Sequence, residues 1–209
     1  EKPGFEADDV LGTLAVKAEK EGYKVTLVSG DRDLLQLASD IIKVRIPKTK
    51  RSGTEIEDYF AGDVLEKYGV TPRQFIDVKG LMGDASDNIP GVPGIGEKTA
   101  GKLIAEYKSI ENLYERIDEL PQGKVAATLK ENRELAFLSK ELATICTDCD
   151  LGIDPGDAVC GNMYNEEVYK WYKNLEFKSL LSRFQNMEID RSSGIEEHFR
   201  VVEELSEAD

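Results

Sequence analysis

Three short segments of this chain concentrate carboxylates closely enough to hold metal ions. The first lies near residue 6, the second near residue 31 and the third near residue 84. Like charges at this spacing repel one another, and cations that bind between them relieve the repulsion. The three clusters contain seven acids in all: Glu6, Asp8, Asp9, Asp31, Asp33, Asp84 and Asp87.

Carboxylates without a neighbouring His or Cys are typical ligands of hard cations, so the set favours Mg²⁺ or Mn²⁺ over Zn²⁺. Two such ions held roughly 4 Å apart can activate a water and stabilise the leaving oxygen in phosphodiester cleavage. Each cluster alone also has an ordinary explanation, as a helix start or a turn. The presence of all three favours a site for two metal ions.

A glycine-rich turn follows the third cluster directly and opens a helix. Backbone amides at a helix start, with the helix dipole and nearby lysines, can bind a phosphate. A purely structural turn between two helices is the alternative. The spacing does not match a Walker loop, because no Gly-Lys-Ser/Thr follows where it would be required. The candidate phosphate-binding residues are Gly91, Val92, Gly94, Ile95, Gly96, Lys98, Thr99 and Lys102.

The elements that must position the first two clusters alternate between helix and strand. The apolar spacing predicts a helix over 9–22 and a second one over about 33–38, with strands over 24–29 and 41–46. Asp31 follows the first strand at its carboxyl end, where open α/β sheets bind ligands. This part of the chain is therefore predicted to be α/β with parallel strands.

From residue 61 onward the pattern is mostly helical, with one further strand predicted over 142–151. The basic run over 43–51 predicts an exposed loop, which beside a metal site could contact phosphate. An aromatic group at 169–172 could stack on bases, but core packing is favoured. The predicted helices are 62–68, 71–81, 97–107, 109–114, 123–142 and 166–184.

Charge alone argues against a nucleic-acid binder, since the 209 residues contain 41 acids and 27 bases and their net charge is −14. The acids are concentrated, however, in the three clusters and in residues 185–209, so the body of the chain is near neutral. We expect no membrane span. Three cysteines do not make a disulfide framework, which favours a reducing cytoplasm. Cys146-Thr-Asp-Cys149 has metal-like spacing, but no second pair follows.

The three clusters resemble motifs of the 5′-nuclease domain of bacterial DNA polymerase I, in the flap-endonuclease superfamily. The matching stretches are Glu6-Ala-Asp-Asp9, Gly30-Asp-Arg-Asp33 and the long run from Gly83 to Ala100. Residues 177–184 are similar to the segment that closes that domain, so the resemblance spans about 3–184. It implies a partial PIN-like parallel sheet with helices and a helical helix-hairpin-helix (H3TH) subdomain.

The resemblance also implies roles for the matching residues. The cluster of Glu6, Asp8 and Asp9 would serve one divalent ion. The turn over 91–96 would hold duplex DNA downstream of the cut, with a potassium ion on its backbone carbonyls. The ligands of the second divalent ion would be Asp31, Asp33, Asp84 and Asp87.

The implied reaction is hydrolysis of a phosphodiester near a 5′ end or flap junction, which removes RNA primers and displaced strands. We expect a monomer that is joined covalently to a polymerase domain and acts in the bacterial cytoplasm, at the nucleoid. Residues 1–60 would form the C-terminal portion of the metal-binding core. Residues 61–184 would form the DNA-binding subdomain, and 185–209 an acidic linker with the start of the next domain.

The family domain begins well before the first residue of this chain, and its earlier part carries further acidic ligands and a helical arch with Lys and Arg. We therefore expect these 209 residues to bind Mg²⁺ and duplex DNA weakly and to cleave poorly or not at all. The sheet should also expose an apolar edge. Two alternatives are a non-catalytic duplex-DNA-binding module and a metal-dependent phosphatase for small phosphate esters.

Overall fold

The computed structural model describes residues 2–50 and 53–184. These residues form two compact units, one ending at Asp157 and the other beginning at Ala158. In the described part of the chain, no helix is both long enough and apolar enough to cross a membrane. The predicted acidic linker over 185–209 lies outside the described residues.

The first unit contains a three-stranded sheet in the order β1-β2-β3. Strand β1 (Val25–Val28) pairs in parallel with β2 (Ile42–Lys50), and β2 pairs in antiparallel with β3 (Gly53–Tyr59). The parallel pairing of the first two strands agrees with the predicted α/β class. Among the described strands β1 lies at an edge, where Val28 is 62% exposed, as expected for an apolar edge.

Residues 43–50 of the basic run predicted as a loop lie instead in β2, and this is a correction, while Arg51 lies outside the described residues. Arg45 donates two hydrogen bonds of 2.7 Å to Asp58 on β3, and Lys48 Nζ lies 2.6 Å from a carboxylate oxygen of Glu57. The hydrogen bond from Arg45 is the main reason why the pKa of Asp58 is lowered to about 2. The hydrogen bond from Lys48 has the same effect on Glu57, whose pKa is also about 2. The hairpin thus pairs Arg45 and Lys48 with acids of β3, and their contact with phosphate stays a prediction.

Helix α1 (Ala7–Lys20) precedes β1 and packs against it. The second predicted helix is a 3₁₀ turn (Asp33–Leu37) after β1, in which Leu34 and Leu35 are fully buried. The other helices of the first unit are α2 (Ala61–Tyr68), α3 (Pro72–Met82), α4 (Glu97–Tyr107), α5 (Ile110–Glu115), α6 (Lys124–Glu131) and α7 (Arg133–Leu142).

The helix predicted over 123–142 is divided between α6 and α7 at Asn132. The side-chain amide of Asn132 donates a 2.9 Å hydrogen bond to the carbonyl of Thr128, and its backbone amide reaches the same carbonyl at 3.1 Å. An asparagine side chain competes in this way with the regular backbone ladder. The apolar periodicity continues across the break, which explains why the sequence predicts a single helix.

Helix α3 is the element around which the helical part is built. Its start is capped by Thr71, whose Oγ1 accepts from the Gln74 amide at 3.3 Å. Buried Asp77 accepts from the Ile110 amide at 3.1 Å and pairs with Lys140 Nζ at 2.7 Å, which ties α3 to α5 and α7. Burial raises the pKa of Asp77, and Lys140 opposes that rise.

No strand forms over the predicted stretch 142–151, although the backbone of residues 143–149 is held in place. The Gln36 side chain accepts from the Ile145 amide at 3.0 Å and donates to the Ala143 carbonyl at 2.9 Å. Side chains therefore supply the bonds that a neighbouring strand would otherwise make. Because the stretch is apolar and β-branched, its pattern mimics that of a strand.

The second unit contains α8 (Glu166–Asn174) and α9 (Lys178–Leu181), so the helix predicted over 166–184 is interrupted. Phe184 is 1% exposed, and the rings of Tyr169 and Tyr172 pack edge-on against it at centroid distances of 5.5 and 5.9 Å. The two half-buried tyrosines thus pack on Phe184, whereas the expected partners Leu175 and Phe177 are themselves 54% and 45% exposed. Trp171, on the same helix, is exposed.

Candidate metal centre

The first cluster lies at the start of α1, and its last member is engaged in structural hydrogen bonds. Asp9 Oδ2 accepts from the Glu6 amide at 3.0 Å, which caps the helix. Asp9 Oδ1 accepts from the Cys146 amide at 2.8 Å. Burial raises the pKa of Asp8, and the nearby charges of Asp9 and Asp31 add to the rise. The first turn of α1 is thus anchored to a distant loop.

The second cluster follows β1, where the chain turns into the 3₁₀ segment. The Asp31 amide donates to Ser29 Oγ at 3.1 Å, and the Asp33 amide donates to Asp31 Oδ1 at 2.8 Å. Asp33 itself is buried, at 8% exposure. The turn therefore fixes both carboxylates at the carboxyl end of β1, as the sequence predicts.

The third cluster sits on a loop whose ends are in contact. Asp84 and Ile89 exchange two backbone hydrogen bonds of 2.9 and 2.8 Å. Gly83 and Gly91 both have positive φ, and a Cβ on Gly91 would lie 2.3 Å from the Gly83 nitrogen. Only glycine allows this approach of two backbones. The closed loop places the carboxylates of Asp84 and Asp87 beside the second cluster.

The structure brings the second and third clusters together directly. Asp33, Asp84 and Asp87 each offer a carboxylate oxygen, and the three oxygens lie within 4.8 Å of one another. The first cluster opens on the same region: one recess is lined by acids from all three clusters, namely Glu6, Asp8, Asp9, Asp31, Asp33 and Asp87.

Lys79 on α3 is a charged member of this site that the sequence analysis did not single out. Its Nζ lies 2.6 Å from Asp33 Oδ1 and 2.5 Å from Asp84 Oδ2, and the residue is 7% exposed. Burial alone would lower the pKa of Lys79, but its ion pairs with the two carboxylates outweigh burial and raise the pKa. A lysine inside the run Val78-Lys79-Gly80-Leu81 on a buried helix was the available signal.

The two carboxylates that share Lys79 differ in their electrostatics. Burial raises the pKa of Asp33, against the opposing effect of Lys79. The pKa of Asp84 is lowered to about 2 by its hydrogen bonds to Lys79 and Ser86. Of these two carboxylates, Asp33 is the one whose negative charge the protein compensates less.

The donor set fits a divalent cation. Asp33 Oδ1 is fully buried and has no hydrogen bond of acceptable geometry, although the Lys79 ammonium lies close to it. An incompletely satisfied carboxylate oxygen beside two further carboxylates favours a hard metal ion. Among the described residues, Asp33, Asp84 and Asp87 are the side chains whose possible ligand atoms lie close enough together to share one metal ion.

A cleft of about 950 Å³ leads from the carboxylates to α4. Its walls include Asp33, Asp84, Lys98 and Lys102. Acidic and basic groups therefore line the same opening.

Some of the candidate phosphate-binding residues of the glycine-rich turn are exposed, and others are buried. Val92 and Ile95 are 2% and 4% exposed, so their side chains belong to the core and only their backbones can contact a partner. Gly91 is also buried. Of the other candidates, Thr99 is half-buried, and the exposed ones are Gly94, Gly96, Lys98 and Lys102. Gly96 is the N-cap of α4, and its carbonyl accepts from the amides of Thr99 and Ala100 at 2.9 Å, so the amides of this first turn point toward the N-terminal end of the helix.

Two models of one protein family match this chain. The model described as the 5′-3′ exonuclease N-terminal resolvase-like domain matches residues 1–69. The model described as the 5′-3′ exonuclease C-terminal SAM fold matches residues 70–166. The chain belongs to the 5′-3′ exonuclease family, which confirms the resemblance that its motifs indicated.

Individual relatives agree with this assignment. DNA polymerase I of Bacillus caldotenax is 48% identical over 186 residues, which are 89% of this chain and 21% of that protein. The chain thus spans about a fifth of the length of such curated relatives.

Solved structures of phage enzymes are similar in fold. T5 5′-exonuclease with bound divalent zinc ions is 31% identical with a TM-score of 0.57, covering 69% of this chain and 51% of that one. The bacteriophage T5 flap endonuclease, in a complex with DNA and metal ions, is 29% identical with the same TM-score and the same coverages. Relatives of this fold therefore bind divalent metal ions, in one case together with DNA.

Proposed function

We propose that this chain serves in metal-dependent hydrolysis of DNA phosphodiesters near a 5′ end or a flap junction. The observation that carries the proposal is the convergence of Asp33, Asp84 and Asp87, whose carboxylate oxygens lie within 4.8 Å of one another. The cleft that joins them to Lys98 and Lys102 supports a phosphodiester as substrate. An apolar or small neutral ligand would not need this combination of charges.

The metal ions in this proposal are two Mg²⁺ or Mn²⁺ ions. Glu6, Asp8 and Asp9 would hold one ion at the start of α1, and Asp31, Asp33, Asp84 and Asp87 would hold the other. The bound ions would supply an activated water and stabilise the leaving oxygen. Asp9 would help to hold its ion while its two oxygens continue to accept hydrogen bonds from the amides of Glu6 and Cys146.

Lys79 has a defined task in the same proposal. Its ammonium compensates Asp33 and Asp84 and keeps both carboxylates directed into the cleft. A fixed buried cation reduces the repulsion between the acids, so they remain assembled before metal binds.

Duplex DNA would be held by the backbone of the turn over 91–96 and by the first turn of α4, with Lys98 and Lys102 beside the phosphates. Buried Val92 and Ile95 support a backbone-mediated contact, because they anchor the turn in the core. A potassium ion on the carbonyls of this turn is part of the proposal. Such contacts position DNA without reading its sequence.

We also propose a division of labour along the chain. Residues 1–60 form part of the metal-binding core, and residues 61–184 form the DNA-binding helical part. In the complete protein this part would be joined to a polymerase domain, and the whole would remove RNA primers and flaps as a monomer. Such a role entails action at the nucleoid, in the bacterial cytoplasm.

The first test measures metal binding by the 209-residue chain. Asp84→Asn and Asp87→Asn should weaken Mn²⁺ binding at least about tenfold, because each removes a ligand charge. The matched control is Asp118→Asn, which removes an exposed carboxylate that pairs with Lys130 and lines neither recess. Isothermal titration provides the affinities. Equal Mn²⁺ affinity in all four proteins would contradict the metal centre.

The second test separates binding from cleavage with a labelled 5′-flap duplex. Asp84→Asn and Asp87→Asn should retain flap binding in fluorescence anisotropy and lose any cleavage that the unsubstituted chain shows with Mg²⁺. Replacing Lys98 and Lys102 by Ala should weaken binding instead. Binding without cleavage by the unsubstituted chain would support the DNA-binding module. Hydrolysis of an aryl phosphate that is insensitive to Lys98 would support the phosphatase.

A further inference from the structure

Two free thiols lie next to each other in the loop that anchors α1. Cys149 Sγ is 3.6 Å from Cys146 Sγ, with Cys149 buried and Cys146 partly exposed. A disulfide joins sulfurs about 2.05 Å apart, so closure needs an approach of only about 1.5 Å. Side-chain rotation can supply a movement of this size.

The backbone around both cysteines is held by two residues of α1. Thr13 Oγ1 donates to the Cys146 carbonyl at 3.4 Å and accepts from the Cys149 amide at 3.1 Å. The Cys146 amide in turn donates to Asp9 Oδ1. The fold therefore holds the two thiols close together before any bond forms, which removes most of the entropy cost of closing the ring.

We propose that Cys146 and Cys149 are a disulfide-forming site that reacts with low-molecular-weight disulfides. A metal site does not account for the pair, because within residues 2–50 and 53–184 no third ligating side chain is grouped with it. The third cysteine, Cys160, belongs to the second unit.

The reaction is an exchange that needs no other oxidant. The Cys146 sulfur, as the more accessible one, attacks the disulfide RS–SR, gives up its proton and releases one thiol RSH. The Cys149 sulfur then attacks the mixed disulfide at Cys146 and displaces the second RSH. In total, two protein thiols become one disulfide, and RS–SR is reduced to two RSH.

The hydrogen bond between Cys146 and Asp148 contributes most to raising the pKa of Cys146, to about 11. The exchange is followed to equilibrium, because the equilibrium constant reports how closely the fold holds the two sulfurs. Oxidation would stiffen the loop whose amide holds Asp9, which links the redox state of the pair to the start of α1.

The test uses the full chain with Cys160→Ser, equilibrated in mixtures of reduced and oxidised glutathione. We expect a monomer that loses two thiols and two hydrogen atoms in mass, with both cysteines in one cross-linked peptide. A lasting glutathione adduct on Cys146, a link between chains, or two unreacted thiols would each overturn the proposal.

Two variants of Thr13 test whether the fold creates the site. Thr13→Val should lower the equilibrium constant for disulfide formation about fivefold, the equivalent of one hydrogen bond. Thr13→Ser retains the hydroxyl and should match the parent, as should Thr26→Val at an exposed position. In urea sufficient to unfold the chain, the constant should fall about tenfold. An equal constant in folded and unfolded chains would overturn the proposal even if Thr13→Val does not fold.

Discussion

Lys79 Nζ lies 2.6 Å from Asp33 Oδ1, and the two side chains are only 9% and 12% exposed. A buried ion pair of this kind is costly to break, because the partner left behind is a charge without compensation. Here the acid also stands beside other carboxylates. The pair therefore acts as an internal substitute for part of the cation charge that the cluster needs.

Lys79→Met should lower the free energy of unfolding by about 3 kcal/mol in EDTA, because Asp33 and Asp84 lose their shared counter-charge. Added Mn²⁺ should recover part of this loss by providing positive charge to the same carboxylates. Urea unfolding with and without Mn²⁺ measures both effects. Lys102→Met removes an exposed lysine from the same cleft and should leave stability unchanged. Equal losses in the two variants would contradict the role of Lys79.

The stability of the fold should depend on Asp84 in acid. Its pKa is about 2 in the folded chain and near 3.8 in the unfolded chain, so its contribution is complete above pH 3.8. As the pH falls from 3.8 toward 2, the unfolded chain takes up the proton first and the contribution is lost. We call the fall of the unfolding free energy between pH 3.8 and 2 the acid limb. Asp84→Asn should make this limb less steep, because the unfolded chain then takes up about one proton fewer relative to the folded chain.

Ser86→Ala is the matched variant for this experiment. It keeps the Asp84 carboxylate but removes the Ser86 hydroxyl, one of the groups that lower its pKa. The acid limb should then narrow, because its upper end stays at the unfolded-state pKa while its lower end moves to higher pH. Urea denaturation at a series of pH values between the two pKa values measures the slope, and an unchanged acid limb in Asp84→Asn would exclude the linkage.

Asp9→Ala should destabilise the chain by about 2 kcal/mol, because the amides of Glu6 and Cys146 both lose their acceptor. Asp8→Ala removes a neighbouring carboxylate whose burial raises its pKa, and it should cost less than about 1 kcal/mol. Thermal and urea unfolding of both variants provide the comparison. If the two substitutions cost the same, the anchoring of α1 through Asp9 is not what the hydrogen bonds indicate.

Gly91→Ala and Gly94→Ala should differ sharply, although both glycines have positive φ. A Cβ at Gly91 would clash with the backbone of Gly83, which should cost about 3 kcal/mol or more and open the Asp84 loop. A Cβ at Gly94 meets nothing within 4 Å, so only the backbone strain of about 1 kcal/mol remains. Urea unfolding curves measure the loss of unfolding free energy in each variant, and Mn²⁺ titration shows whether the Asp84 loop still binds the ion. Retained Mn²⁺ affinity in Gly91→Ala would contradict the proposed coupling.

The sequence predicts those elements whose signals are local. Helix α4 has the predicted bounds, and α3 begins at the Thr71 cap followed by proline. Strand β3 was missed because three of its seven residues are acidic and most of them are exposed, and because its pairing with β2 includes cross-strand ion pairs. Such pairs become visible only once two separate segments are aligned.

The candidate site shows the same limit. Residue types and motifs place the acids in three clusters, and the turn after β1 was expected at Asp31 from strand position alone. The contacts of Lys79 could not be derived this way, since its partners belong to a different element and a different loop. The burial of Val92 and Ile95 was also missed, because a glycine-rich turn gives no sign of which side faces the core.

The bond between the Cys146 amide and Asp9 Oδ1 joins positions 137 residues apart. During synthesis on the ribosome, at about 5–20 residues per second, the first cluster must wait roughly ten seconds for this partner to be made. A growing chain therefore carries its acids without the anchor that orders them. Because closing so long a loop costs entropy before the contact forms, we expect this bond to the first acidic cluster to form later than the local contacts within the helices.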